Sequence, residues 1–213
     1  MRLAPPNRMA KTARGKITRN KLLEAAAKEF GEMGFHAASI SGITRAANVA
    51  LGTFYVYFDS KEAIFRALVD YMSHLTRAWI AERVGPSTDR LDAERKGLQA
   101  FIEFVRGHRD LYRLVMEAQF VADDAYRRYY NDFAEAYQRN LAAAVARGEI
   151  RDGKNEVRAW ALMGMSVFLG LRYAIWDDSQ PAEEIVAAMS DLTEHGLALR
   201  DPPAKNPKKR KRG

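Results

Sequence analysis

Residues 39–61 constrain the fold more than any other part of the chain, reading Ser-Ile-Ser-Gly-Ile-Thr-Arg-Ala-Ala-Asn-Val-Ala-Leu-Gly-Thr-Phe-Tyr-Val-Tyr-Phe-Asp-Ser-Lys. Ile40, Ile43 and Ala47 recur three and four apart, which puts them on one stripe of a short helix with Ser41, Thr44 and Arg45 facing outward. Ser39 stands where an N-cap is needed. Asn48 falls where the chain must reverse, and asparagine tolerates a left-handed backbone better than any residue but glycine. Val49 plugs the angle to a second short helix, on which Phe54 and Phe58 point to a core while Thr53, Tyr55 and Tyr57 offer hydroxyls. Gly52 lets the backbone approach another surface closely. A helix this small, held at an angle to its predecessor, suits the DNA major groove.

The flanks complete a three-helix unit. Residues 17–33 form an amphipathic helix with Leu23, Ala26, Ala27 and Phe30 on one face, closed by Gly34. Asp59-Ser60-Lys61-Glu62 starts another helix, with a capping side chain and an acid in its first turn. Its stripe of Ile64, Leu68, Tyr71, Met72, Leu75 and Trp79 runs on to about residue 82.

Taken together, Leu22-Leu23-Glu24-Ala25-Ala26, Phe30, Gly34-Phe35, Ile43, Ala46-Ala47-Asn48-Val49, the run from Gly52 to Phe58 and Ser60-Lys61-Glu62 resemble the DNA-binding domain of the tetracycline-repressor (TetR) family of bacterial transcription regulators. The resemblance spans residues 17–64 and rests on several ordered motifs at fixed offsets. It implies that Thr53, Tyr55, Tyr57 and Lys61 touch phosphates or base edges, with Ser39 and Arg45 contributing from the preceding helix and Leu51 and Gly52 at the start of the reading helix. Arg45 also has the geometry to read a guanine edge. The chain departs from the family pattern at Asn48, Ala50 and Leu51: Ala50 has no side chain with which to cap the reading helix, and Leu51 offers apolar contact, to a thymine methyl for example, in place of a hydrogen bond.

The charge distribution agrees with a nucleic-acid partner. The 213 residues carry 34 Lys+Arg against 27 Asp+Glu, a net +7. Residues 1–19 hold six basic side chains and no acid, and residues 205–213 hold six more, so the 22 basic residues between face 27 acids and the body is mildly acidic. The chain divides into a basic arm (1–14), a helix-turn-helix domain (15–63), a helical ligand-binding and dimerisation domain (64–200) and a basic tail (201–213). Arg14 and Lys16 are the expected DNA contacts of the arm.

Beyond the break at residues 86–91, helical periodicity predicts helices over 91–106, 109–121, 123–147, 154–177 and 181–199, with no competing strand pattern, so the fold class is all-α. Several of these helices are rich in aromatic residues. Tyr112, Met116, Phe120, Tyr130, Phe133, Tyr137, Trp160, Met163, Phe168, Arg172 and Trp176 are the candidate lining of a concave apolar site with polar handles, although any one aromatic is more often ordinary core. The family resemblance implies a small effector in such a pocket, which moves two DNA-binding heads apart, and a homodimer formed by the last two helices. Ile185, Met189, Leu192 and Leu199 would give one stripe of that interface, and Ala161, Gly164 and Gly170 would allow close approach on the helix before. Arg109, Arg113, Arg127, Arg128 and Arg172 near the aromatics favour an apolar acid or an acyl thioester as effector, whereas Glu103 and Glu117 favour a lipophilic cation, and the balance leans to the apolar anion.

Catalysis is not expected. His36, His74, His108 and His195 are scattered, and no phosphate loop, nucleophile elbow or metal-ligand spacing occurs. No cofactor is called for. The absence of cysteine removes disulfides and thiolate chemistry. No apolar run approaches the roughly 20 residues of a bilayer span, so the expectation is a cytoplasmic protein bound to double-stranded operator DNA and a small apolar effector, with no membrane contact. The competing reading is a helical interaction protein that binds nucleic acid nonspecifically through its basic ends.

Overall fold

The computed structural model describes residues 12–196, and among them the chain is all-α. The helices are α1 (Ala13–Ala37), α2 (Ile40–Ala46), α3 (Leu51–Tyr57), α4 (Lys61–Val84), α5 (Arg90–Gly107), α6 (Arg109–Val121), α7 (Asp123–Ala146), α8 (Asn155–Gly170), which continues into a π-helical turn at Leu171–Trp176, and α9 (Ala182–His195). Arm residues 1–11, Leu199 and the tail 201–213 lie outside the described residues.

Local chemistry sets these limits. α1 begins at Ala13, four residues before the first apolar position suggests, because the Thr12 hydroxyl caps it by accepting from the Gly15 amide at 3.1 Å. Arg14 and Lys16 are therefore helical and not part of an extended arm. The helix breaks at Gly34, where φ is 71° and ψ 165°, a conformation that L side chains rarely adopt. Ser39 and Ser60 cap α2 and α4 by accepting from the amides of Gly42 and Ala63. Asn48 has φ 53° and is the one non-glycine residue with positive φ among those described, as the reversal between α2 and α3 requires. Thr44 departs from expectation: it is buried, and its hydroxyl donates back to the Ser41 carbonyl at 3.2 Å.

One apolar core runs without interruption from the first three helices into the rest of the molecule. Phe30, Phe35 and Phe65 meet edge-on or stacked with centroids 5.1–5.8 Å apart, beside buried Leu22, Ile43, Phe54, Phe58 and Leu68. The same cluster continues through Met72 of α4 to Phe104, Val115 and Tyr129. A second cluster joins Leu98, Ile102 and Val105 of α5 to Ala174, Ile185 and Val186, so α9 is bound within its own chain by the stripe that carries Ile185. Gly170 belongs to this second contact: a Cβ there would meet the Phe101 ring at 2.8 Å, so its close approach is within the chain.

Candidate nucleic-acid interface and effector cavity

Burial of Phe54 and Phe58 fixes the rotation of α3. The opposite face then holds Leu51, Tyr55, which is 50% exposed, and Val56. Gly52 is exposed with nothing within 4 Å of where a Cβ would sit, Thr53 is half-buried, and Tyr57 is half-buried against the core. Ala50 contributes no side-chain cap, as its residue type dictates. Ser39, Ser41 and Arg45 on or beside α2, and Arg14 and Lys16 on α1, are also exposed. The outer surface of the unit thus presents hydroxyls, cations and two aliphatic side chains, a mixture able to contact phosphate oxygens and thymine methyls.

Lys61 has a different environment. Its ammonium donates to the carbonyls of Phe35 at 2.7 Å, His36 at 3.2 Å and Ala38 at 2.9 Å, and lies 4.5 Å from the centroid of the Phe35 ring. All three N–H donors are engaged, so Lys61 closes the frayed end of α1 where sequence reasoning placed a phosphate contact. From the other side, the Glu117 carboxylate of α6 accepts from the Phe35 amide at 2.9 Å. The elbow after Gly34 is held by α4 and α6 together.

α4, α5, α6 and α7 enclose a cavity of about 300 Å³, which α8 and α9 help to close. Of the eleven candidates on the chain, Tyr112, Tyr130, Phe133, Tyr137 and Met163 line it. The Tyr112 hydroxyl donates to the Val167 carbonyl at 2.9 Å. Burial pushes the phenols of Tyr112 and Tyr129 up to about 12 and raises those of Tyr130 and Tyr137 well above their ordinary value. These side chains face the cavity as neutral hydroxyls.

The remaining candidates lie elsewhere. Phe120, Phe168 and Trp176 are 84%, 71% and 69% exposed, because the helical phase that buries Ala118, Met163 and Ala174 turns them outward. Met116 packs into the second core cluster, and Arg172 is an exposed ion-pair partner of Asp177 at 3.4 Å. Trp160 lies at a more open recess of about 370 Å³ between α7 and α8, which shares Tyr130, Met163 and Val167 with the main cavity. Of the arginines named as anion partners, Arg109, Arg127, Arg128 and Arg172 are paired with aspartates.

The cations that do reach the cavity, Arg77 and Arg90, were not singled out from the sequence, nor was Glu94. Arg90 pairs with Glu94, and the Tyr137 hydroxyl donates to the same carboxylate. Arg77 faces Asp132 at 3.5 Å. The Arg–x–x–x–Glu spacing within one helix was the available signal, but only the fold shows that it faces a cavity. Among the described residues, no group of three or more histidine, aspartate or glutamate side chains converges as a metal site.

The outward face of α8 is apolar over its whole length, with Val157, Trp160, Ala161, Gly164 and Phe168 in sequence along it. By length and composition the helix Asn155–Trp176 is apolar enough to cross a bilayer, its most apolar 18-residue stretch having a mean hydropathy of 1.3, although no uninterrupted apolar run of that length occurs. Arg158 interrupts the stretch near one end and Arg172 near the other.

Comparison with known proteins bears on both halves of the molecule. The family model described as bacterial regulatory proteins, tetR family, matches residues 22–68. An uncharacterised HTH-type transcriptional regulator of Bacillus subtilis, YdgC, is 28% identical over 190 residues, covering 87% of this chain and 95% of the relative. Among solved structures, the transcriptional regulator FadR from Bacillus subtilis in complex with stearoyl-CoA superposes with a TM-score of 0.74 at 18% identity, over 84% of this chain and 99% of that one. AibR, in complex with isovaleryl coenzyme A and operator DNA, gives a TM-score of 0.65 at 18% identity, over 82% of this chain and 97% of that one. At these identities the two structures establish a shared fold.

Proposed function

Because the chain belongs to the tetR family of bacterial regulatory proteins, we propose that it is a ligand-responsive transcriptional repressor that binds a palindromic operator as a homodimer and is released by a small apolar effector. The observation that carries this reading is α4. Its first turns pack under α3, with Ile64 and Phe65 in the core that holds Phe54 and Phe58, and its later turns supply Met72, Thr76 and Ile80 to the cavity. One rigid helix links the DNA-facing surface to the internal site, and an effector that favours a different setting of α4 lowers DNA affinity by its differential affinity for the two states.

Arg14, Lys16, Ser39, Arg45, Thr53, Tyr55 and Tyr57 are the proposed DNA contacts, with Leu51 and Gly52 close to the bases. The dimer is proposed to form on the outward face of α8, where Gly164 is open to a partner and Trp160 and Phe168 lie on either side of it. Since Ile185 faces its own core, α9 contributes its outer residues only. A dimer also places two small heads on half-sites about 34 Å apart or a multiple of that, which a single head with few contacts needs for affinity.

The apolar cavity, with a few fixed polar groups, suits an acyl chain. The stearoyl-CoA and isovaleryl-CoA complexes of proteins with this fold support an acyl thioester as the effector. Selection of DNA from a random pool tests the proposal directly. The protein is expected to retain a palindromic site over random DNA by roughly a thousandfold or more, and to release it when acyl thioesters are added. Equal affinity for selected and random DNA would instead establish an electrostatic, nonspecific binder.

A further inference from the structure

The cavity wall is mainly apolar, with hydroxyl and amide side chains spread over it, and α5 contributes Arg90 and Glu94 and α7 contributes Tyr137 as one connected polar group. Arg90 Nε donates to Glu94 Oε1 at 2.7 Å and its Nη2 donates to the same oxygen, while the Tyr137 hydroxyl donates to Oε2. The guanidinium also lies 5.1 Å from the Tyr137 ring centroid. The Arg90 and Glu94 side chains are only 10% and 15% exposed, so this is a desolvated pair and not a surface ion pair of negligible value. Its charges cancel. The second cation on the wall, Arg77, faces Asp132 at 3.5 Å, so the cavity offers a bound anion no unpaired positive charge.

Resting on the reading of this cavity as the effector site, we propose that Arg90, Glu94 and Tyr137 form a neutral head-group receptor that accepts the uncharged carbonyl of an acyl ester or thioester and rejects the free carboxylate of the same chain. A guanidinium carries five N–H donors, and Arg90 directs two of its nitrogens at Glu94 and also hydrogen-bonds the Tyr137 hydroxyl, which does not exhaust them. The remaining donors suit a carbonyl oxygen, which accepts a hydrogen bond without adding charge. A carboxylate would add a negative charge beside Glu94 and compete with it for Arg90 in a water-poor site, where like charges are costly. The Tyr137 proton, already given to Glu94, is not available to offset that charge.

Calorimetric titration with decanoic acid, methyl decanoate and the decanoyl thioester of N-acetylcysteamine tests this, because the three share a chain and differ at the head. The parent protein is expected to bind the ester and thioester at least tenfold more tightly than the acid at neutral pH. Glu94→Gln, which leaves Arg90 uncompensated, is expected to narrow or reverse that ratio. An acid that binds the parent as tightly as its ester, or a ratio untouched by Glu94→Gln, overturns the inference while leaving the cavity as the effector site. If Glu94→Gln fails to fold, the acid-to-ester ratio of the parent decides alone. Binding of all three ligands that is unaffected by filling the cavity with Val115→Trp would instead refute the site itself, and the inference with it.

Discussion

Replacing Lys61 with methionine separates two roles that make opposite demands on the side chain. The ammonium donates to three backbone carbonyls at 2.7–3.2 Å around the break in α1. The His36 carbonyl is exposed and rehydrates when the ammonium is removed, whereas those of Phe35 and Ala38 are part-buried. Each of the two loses about 1–1.5 kcal/mol, and loss of the contact with the Phe35 ring adds about 0.5–1 kcal/mol. Methionine keeps most of the packing of the aliphatic stem. The total is about 2.5–4 kcal/mol, which for a chain of this size lowers the melting temperature by roughly 5–15 °C. Far-ultraviolet circular dichroism on heating measures it. In parallel, the slope of log binding constant against log salt for duplex DNA counts phosphate contacts, each worth about 0.9. The structure requires a lower melting temperature with an unchanged slope. A Lys61→Met protein that melts within about 1 °C of the parent but loses roughly one unit of slope would show that the side chain leaves the elbow to neutralise a phosphate, and the capping argument would be wrong.

Three further outcomes follow from the geometry. Tyr55→Ala removes a half-exposed phenol whose one aromatic contact is with the adjacent Phe54, so operator affinity in a gel-shift series is expected to fall by about tenfold or more with little change in the melting curve; parental affinity would remove Tyr55 from the interface. Phe168→Glu puts a charge on the outward face of α8 and is expected to shift the protein from dimer to monomer in sedimentation, whereas an unchanged dimer would move the interface elsewhere. The Tyr129 phenol is raised to about 12 by burial but ionises near 10 once unfolded, so its stabilising contribution is intact below pH 10 and is lost as pH climbs towards 12. Between pH 9 and 11 the parent is therefore expected to lose about 1.4 kcal/mol more unfolding free energy than Tyr129→Phe, and parallel pH profiles in denaturant titrations would contradict the burial argument.

Local signals were legible in the sequence and long-range ones were not. Asn48 and the Phe54–Phe58 pair follow from turn chemistry and helical spacing, and the structure has them at φ 53° and in the core. Helix beginnings were misplaced where a polar residue does the work: Thr12 starts α1 ahead of its first apolar residue. Thr44 was misread because a hydroxyl bonded to its own helix can be buried at little cost. Aromatic spacing showed that Phe168 and Trp176 lie on helices but not which neighbour each helix has, and half of such a stripe faces out. Arg90 and Glu94 carried no signal beyond an ordinary i,i+4 pair, since Tyr137 joins them from 43 positions away. The carbonyl contacts of Lys61 were not legible either, because its three acceptors come from a bend 23–26 residues earlier in the chain.

The elbow after Gly34 also limits how this architecture can be recombined. Its amide is claimed by an acid from one helix and its carbonyls by a base from another, so the setting of the first three helices is written partly in residues outside them. A chimera that grafts the first sixty positions of a cousin onto this scaffold would bring a new specificity but would break that clamp unless the cousin's bend matches Glu117 and Lys61. Transplanting the segment through α4 moves the bend together with the α4 side chain that binds it, and Glu117 of this scaffold then completes the clamp.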